Sequence, residues 1–218
     1  MTTIAPAPTT STITSSLPRR RTLVLLAVTF VTGFVGALAT GADNNPDSSL
    51  ATIKSAYDQS HLSIMIASYA GMAACAVLVF LGVAVRSALR AQRPTWTADV
   101  AMLGFVVIAL TIASWVVSGL ALWHAVDQGQ DASVRTLNFV DTSNFLPLMM
   151  GMICAYVGTG AAGLVSGTLP RWLAVASIVV GLLAPLGPLG FVPAMLLPIW
   201  LLVVSALVRV REGDPKTS

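Results

Sequence analysis

Long apolar stretches without charge alternate with short polar segments along most of this chain. A helix needs about 20 apolar residues to cross the hydrocarbon core of a bilayer. Four stretches have the length for one crossing each, and we place their spans at 22–42, 61–85, 100–124 and 144–168. The pattern therefore predicts an all-α protein, built as a polytopic bundle of transmembrane helices.

A fifth apolar stretch, 172–208, is too long for one crossing, because its 37 residues would make a helix of about 55 Å. Residues that favour a turn lie near its middle: Pro185, Gly187, Pro188 and Gly190. We therefore predict a hairpin with spans at 172–186 and 190–208, which brings the total to about six. Pro193 and Pro198 are expected to bend the last helix.

Basic residues are distributed unevenly between the polar segments. With the N-terminus in the cytoplasm, the inner segments hold Arg19, Arg20, Arg21, Arg86, Arg90, Arg93, Arg171, Arg209, Arg211 and Lys216, and the outer segments hold Lys54 and Arg135. This bias predicts that both termini are cytoplasmic. Four tryptophans lie at or near span ends, three of them close enough for an interfacial belt: Trp96, Trp123, Trp172 and Trp200.

The first 18 residues are rich in Thr, Ser, Pro and Ala without an apolar period, which predicts a disordered cytoplasmic tail over 1–18. The transmembrane domain then covers 19–211 and a second tail covers 212–218. The first span has another interpretation, because Arg19–Arg21, an apolar run and Ala37–Ala39 resemble a signal peptide with its cleavage site. We favour a retained helix; cleavage would leave five spans with their directions unchanged.

Composition narrows the class of protein further. Charged residues make up 10% of the chain, against about 25% in an ordinary soluble domain. A net charge of +3, with aromatic and basic residues not interleaved, predicts no nucleic-acid partner. Cys75 and Cys154 both lie in apolar runs, and the absence of a Cys/His cluster excludes a structural zinc site.

Small residues recur every four positions on several spans, which allows helix backbones to approach closely inside a membrane. The fourth span carries Gly151, Ala155, Thr159, Gly163 and Gly167, the second carries Ser63, Ala67, Gly71 and Cys75, and the first carries Thr29, Gly33, Ala37 and Gly41. We interpret these rows as helix-packing seams. They predict that the second and fourth spans lie near the centre of the bundle.

Acidic and basic side chains and known catalytic motifs are missing from the interior of the predicted spans. No Asp, Glu, Lys, Arg or His lies deep within any of them, which argues against a proton-driven pump. The chain also lacks HExxH, GxSG and phosphate-binding GxxxxGK[ST] motifs. We therefore predict a protein that is not an enzyme and needs no cofactor.

Polar side chains gather at the outer surface instead. His61 and His124 each stand 25 residues from a charged residue on the inner side, which puts both about 37 Å from that boundary. Together with Asp58 and Asp141 they form a candidate divalent-metal set. The simpler interpretation is that these are helix-capping and interfacial residues at a hydrated boundary, with no ligand. A bis-His haem is disfavoured because both histidines lie near water. A short helix beside them is predicted from the spacing of Leu50, Ile53, Tyr57 and His61, with Ser48 or Ser49 as its cap.

Two segments carry a family resemblance: the turn Gly167–Leu173 and the arrangement Tyr57–His61 before the second span. Both resemble segments of uncharacterised actinobacterial multi-pass membrane proteins, a domain of unknown function. The resemblance implies a bacterial cytoplasmic membrane and supplies no substrate or catalytic residue.

Two functional hypotheses follow, besides a minor one of an enzyme acting on an outer-leaflet lipid through Asp58, His61 and Asp141. The first is a non-enzymatic accessory or partner-binding subunit, with the lipid bilayer, a membrane-protein partner or a second copy of the chain as its contacts. The alternative is a small-solute or lipid permease with a polar or metal site at the outer face.

Overall fold

Helices form most of the part of the chain that the structure describes. The protein is represented by a computed structural model, which describes residues 20–40, 48–58 and 61–209, apart from the side chains of residues 39, 40, 58, 187 and 188. No strand occurs within those ranges, so the predicted all-α bundle is confirmed. The predicted tails, 1–18 and 212–218, and Gly41 lie outside the described residues.

Eight α-helices and one 3-10 turn follow one another in the described ranges. They are α1 Arg20–Thr40, α2 Leu50–Asp58, α3 His61–Arg90, α4 Trp96–Asp127, α5 Asp131–Ser143, α6 Phe145–Ser166, α7 Arg171–Leu183, the 3-10 turn Gly187–Gly190 and α8 Phe191–Leu207. The predicted hairpin therefore corresponds to α7, the turn and α8. Helix α5 was not predicted, because its polar composition has no long apolar stretch.

Four helical segments in this part of the chain are long and apolar enough to cross a membrane: Arg20–Leu38, α3, α4 and Asp131–Ser166, which joins α5 to α6. The protein is thus a membrane-embedded helical bundle. Helices α7 and α8 are also apolar but have only 13 and 17 residues, or about 20 and 26 Å of helix. Six spans remain a prediction.

Helix α4 occupies the central position in the bundle. Its largest contacts are with α6 on one side and α3 on the other, while α1 packs on α3, α7 packs on α6, and α8 returns to α1. The second and fourth spans, now α3 and α6, were predicted near the centre, and in the structure they flank α4, which lies between them. Both helices carry small residues, but each uses them mainly against α4 rather than against the other.

The backbones of α4 and α6 are in direct contact. A Cβ atom on Gly104 would overlap the backbone nitrogen of Ala155 and lie 2.7 Å from the carbonyl oxygen of Gly151. About one turn away, a Cβ on Gly158 would lie 2.6 Å from the backbone nitrogen of Ala101. Close backbone approach of this kind holds helices together where lipid removes the hydrophobic driving force.

The ends of the bundle differ in charge. Arg86 and Arg90 of α3 donate to Asp99 of α4, and the backbone N–H of Arg209 donates to the carbonyl of Thr168 at 2.9 Å. These contacts bring the ends of α3, α6 and α8 together with the starts of α4 and α7. We call this the basic end, and the other, covered by α2 and α5, the capped end.

An aromatic cluster fills the space between α4, α6 and α8. Trp200 is 7% exposed, and its ring centroid lies 4.1 Å from that of Tyr156 and 6.1 Å from that of Phe105. Its indole N–H donates to Ser177 Oγ at 2.8 Å. Trp200 is thus an interior residue, whereas Trp96 and Trp172 are exposed at the starts of their helices.

Candidate functional site

A cavity of about 300 Å³ lies between α1, α3 and α4, close to the capped end. Its walls are mainly apolar, with four residues of more polar character, Tyr57, Ser68, Trp115 and Asp141. The apolar lining consists of Phe34, Ala37, Leu38, Ile64, Ala67, Gly71, Ile112, Val116 and Gly119. Ligand cavities in proteins typically measure about 300–1,000 Å³, so the volume suits a small molecule or part of a chain.

Small residues create this space. Gly119 and Ala67 line the cavity, and a Cβ placed on Gly119 would meet no heavy atom within 4 Å. Gly71 behaves differently, because a Cβ there would lie 2.8 Å from the Val116 side chain. Two members of the predicted α3 seam, Ala67 and Gly71, therefore border a cavity, and only Gly71 also makes a tight contact.

The other predicted seam residues divide by role. Gly151, Ala155 and Thr159 of α6 are buried, and Gly151 and Ala155 lie against α4. Gly163 faces Leu169 of the following turn rather than another long helix. Gly167 departs from the predicted seam: it ends α6 in the left-handed conformation, with φ 68°, and has open space around it. Glycine is favoured there because it has no Cβ penalty.

Asp141 of α5 lines the cavity and is hydrogen-bonded to α4. Its side chain accepts a hydrogen bond from Ser118 Oγ, and its backbone carbonyl accepts one from Trp115 Nε1 at 3.0 Å. Both donors belong to α4, so Asp141 joins α5 to α4 beside the cavity. Polar contacts at this end of the cavity are therefore arranged around α4.

Helices α2 and α5 form a cap with its own small apolar cluster. Ile53 and Tyr57 of α2 pack with Val134 of α5 and with Ile64 and Leu122 of the long helices, and all five are at most 5% exposed. An ion pair between Lys54 and Asp131 joins the two cap helices at the surface. The cap's cluster is separate from the main core, and the cap borders the cavity through Tyr57 and Asp141.

The short helix predicted before the second span is α2. Its first turn is capped by Ser49, whose Oγ accepts a hydrogen bond from the backbone N–H of Thr52 at 3.2 Å. A serine in this position satisfies a backbone donor that the helix itself leaves unpaired. The predicted inward face is buried at Ile53 and Tyr57.

The two histidines lie near each other, on either side of one tryptophan. The ring centroid of Trp123 is 5.2 Å from that of His61 and 4.8 Å from that of His124, and both histidines are exposed. Asp141 instead pairs with Ser118, about 9 Å along α4 from His124. The predicted set is therefore divided between two places.

A metal site finds no support in the described side chains, among which no group of three or more His, Cys, Asp or Glu is placed to hold an ion. The side chain of Asp58, the fourth candidate, lies outside the described residues. Around Trp123 the two histidines make ring contacts instead, an edge-to-face contact from His61 and a tilted one from His124. Sequence reasoning found the shared depth of the histidines but not the cavity, because no single residue type marks an empty space.

Comparison with known proteins gives no relative for this chain. No protein-family model, no curated protein and no solved structure matches it. The resemblance to actinobacterial multi-pass proteins therefore stays a prediction.

Proposed function

We propose that this protein is a non-enzymatic protein of a bacterial cytoplasmic membrane that binds the acyl chain of a lipid in the cavity between α1, α3 and α4. The observation that carries this proposal is the cavity itself, which is apolar and about 300 Å³ in volume. It favours the hypothesis of a lipid-handling protein over that of an accessory subunit. The accessory role, a homo-oligomer and a membrane-protein partner all stay predictions.

The lining of the cavity suits an alkyl chain better than a polar solute. Nine of its thirteen lining residues are Ala, Gly, Val, Leu, Ile or Phe, so a polar solute would lose its hydration without gaining enough hydrogen bonds. Polar groups of Tyr57, Trp115 and Asp141 lie at the side nearest the cap. A lipid could place its acyl chain against the apolar lining and its polar group beside the polar side chains near the cap.

The depth of the cavity is also suitable for a lipid. Along α4 the lining runs from Ile112 to Gly119, and Ile112 is about 24 Å from Trp96, where α4 begins at the basic end. The hydrocarbon core is about 30 Å thick. In the proposed orientation the cavity lies in the outer half of the bilayer, where one leaflet could supply the chain.

Filling the cavity is expected to prevent binding. In Gly119→Leu the new side chain occupies space within the cavity, because no atom lies within 4 Å of its Cβ position. Protein in nanodiscs is irradiated with a fatty acid that carries a photoactivatable diazirine, and labelled peptides are identified by mass spectrometry. We expect labelling at Ile64–Gly71 and Ile112–Gly119 to fall about tenfold, the equivalent of about 1.4 kcal/mol of binding free energy.

Gly36→Leu is the matched control. Gly36 also has no atom within 4 Å of its Cβ position but does not line the cavity, so labelling should be unchanged. Equal labelling of wild type and Gly119→Leu, or labelling spread evenly over lipid-facing residues such as Leu25 and Phe80, would contradict the proposal.

The proposed sidedness puts the basic end in the cytoplasm, and cysteine labelling tests it. With Cys75 and Cys154 replaced by alanine, Ala132→Cys on α5 should react with a membrane-impermeant maleimide in intact cells. Gln92→Cys, between α3 and α4, should react only after permeabilisation, because positively charged segments are retained inside. Both positions are exposed, and the reverse labelling pattern would show the opposite orientation.

A further inference from the structure

Two arginines at the basic end share one carboxylate. Arg86 Nε donates to Asp99 Oδ1 at 2.5 Å, and Arg90 donates through one terminal nitrogen to Oδ1 at 2.9 Å and to Oδ2 at 3.1 Å. The arginines are one turn apart on α3, and like charges at this spacing repel each other. Asp99 therefore fixes two guanidinium groups side by side.

The charges of this cluster do not cancel. One carboxylate neutralises one of the two guanidinium groups, so Arg86, Arg90 and Asp99 together carry one net positive charge. A guanidinium has five N–H donors, and the three hydrogen bonds to Asp99 leave most donors of the pair unused by it. The cluster therefore offers both surplus charge and directed donors to an anion.

The cluster is also accessible. The side chains of Arg86 and Arg90 are 39% and 37% exposed, which leaves room for an anion to approach. Trp96, at the start of α4, is 75% exposed and three residues from Asp99. Exposed tryptophans favour the headgroup level of a bilayer, and this places the two guanidinium groups near the depth of lipid phosphates.

We propose that Arg86 and Arg90, held side by side by Asp99, bind the phosphate of an anionic phospholipid at the cytoplasmic surface. Arginine suits this role because its planar donors match phosphate geometry, and side chains that are already held in place lose less freedom on binding. The site lies at the opposite end of the bundle from the cavity, so either proposal can fail without the other.

The test compares lipids with the same acyl chains and different headgroups. Delipidated protein is titrated with phosphatidylglycerol or phosphatidylcholine, and bound lipid is counted by native mass spectrometry. We expect wild type to bind one phosphatidylglycerol at least about tenfold more tightly than phosphatidylcholine, since phosphatidylglycerol is a net anion, whereas the choline cation of phosphatidylcholine offsets its phosphate and is repelled by the arginines. The triple variant Arg86→Gln, Arg90→Gln, Asp99→Asn should lose this preference.

Arg93→Gln is the control for charge alone. It removes one net positive charge from the same end, as the triple variant does, but Arg93 is an exposed residue of the α3–α4 turn. We expect its affinity for phosphatidylglycerol to stay within about twofold of wild type, because screened surface charge contributes little. An equal loss in both variants would overturn the proposal in favour of general electrostatic attraction.

A second variant keeps the test valid if the triple variant does not fold. Arg86→Lys with Arg90→Lys keeps the charge but removes the planar donors, and we expect its affinity for phosphatidylglycerol to fall about threefold or more. Unchanged affinity in this variant would overturn the proposed geometry. Displacement of the lipid by millimolar inorganic phosphate would show that free phosphate, rather than a lipid, is the ligand.

Discussion

Gly104→Ala is expected to lower the free energy of unfolding by about 3 kcal/mol, the upper part of the range for overpacked cores. The added methyl group would overlap the backbone of Ala155, and backbone atoms of a packed helix cannot rotate away as a side chain can. The helices α4 and α6 must therefore separate along their closest contact. Thermal unfolding in detergent micelles, followed by circular dichroism, measures the effect.

Gly36→Ala is the control for this experiment. Both glycines lie within helices, so both substitutions gain up to about 1 kcal/mol of helix propensity. Gly36 has open space around it, and this variant should be as stable as wild type or slightly more stable. Equal stability of Gly104→Ala and wild type would mean that α4 and α6 are farther apart than the structure has them.

Trp200→Ala is expected to cost about 3–5 kcal/mol of stability, as truncation of a buried tryptophan does elsewhere. The substitution empties the space between Phe105 and Tyr156 and removes the indole donor to Ser177. In a membrane the loss comes mainly from packing and the hydrogen bond, because apolar groups are not returned to water. Unfolding in micelles again gives the measurement.

Trp172→Ala provides the comparison for Trp200→Ala. Trp172 lies at the start of α7 and is 62% exposed, against 7% for Trp200, so its truncation should cost less than about 1 kcal/mol. A similar loss in both variants would indicate that α8 does not insert its tryptophan between α4, α6 and α7. Together with Gly104, this experiment tests the two contacts that define the centre of the bundle.

Several features of the bundle could be predicted from local pattern. The lengths of the apolar stretches identified the long helices, and the cluster of Pro and Gly between Pro185 and Gly190 located the break between α7 and α8. The charge pattern also required Arg171 and Arg209 on the same side, and the hydrogen bond from Arg209 to Thr168 places them at one end. Each of these follows from the order of apolar, charged and turn-forming residues along the chain.

Helix α5 shows where local pattern was insufficient. It is polar overall, and only Val134 and Asn138 are buried along it. Such a segment has too little apolar surface to form a stable helix by itself, since most helical stability comes from packing. Its contacts with α4 and with Lys54 of α2 stabilise it, and those partners are distant in sequence.

The sequence by itself determined that this protein is embedded in a membrane, that it is helical and where most of its long helices lie. These features depend on the length of apolar stretches and on the position of charges, which can be read along the chain. Only the tertiary structure decided that α4 is central and that a cavity lies beside it. Small residues permit either close contact, as at Gly104, or open space, as at Gly119. Which of the two occurs depends on the helix that lies opposite, and the small residue alone does not show which helix that is.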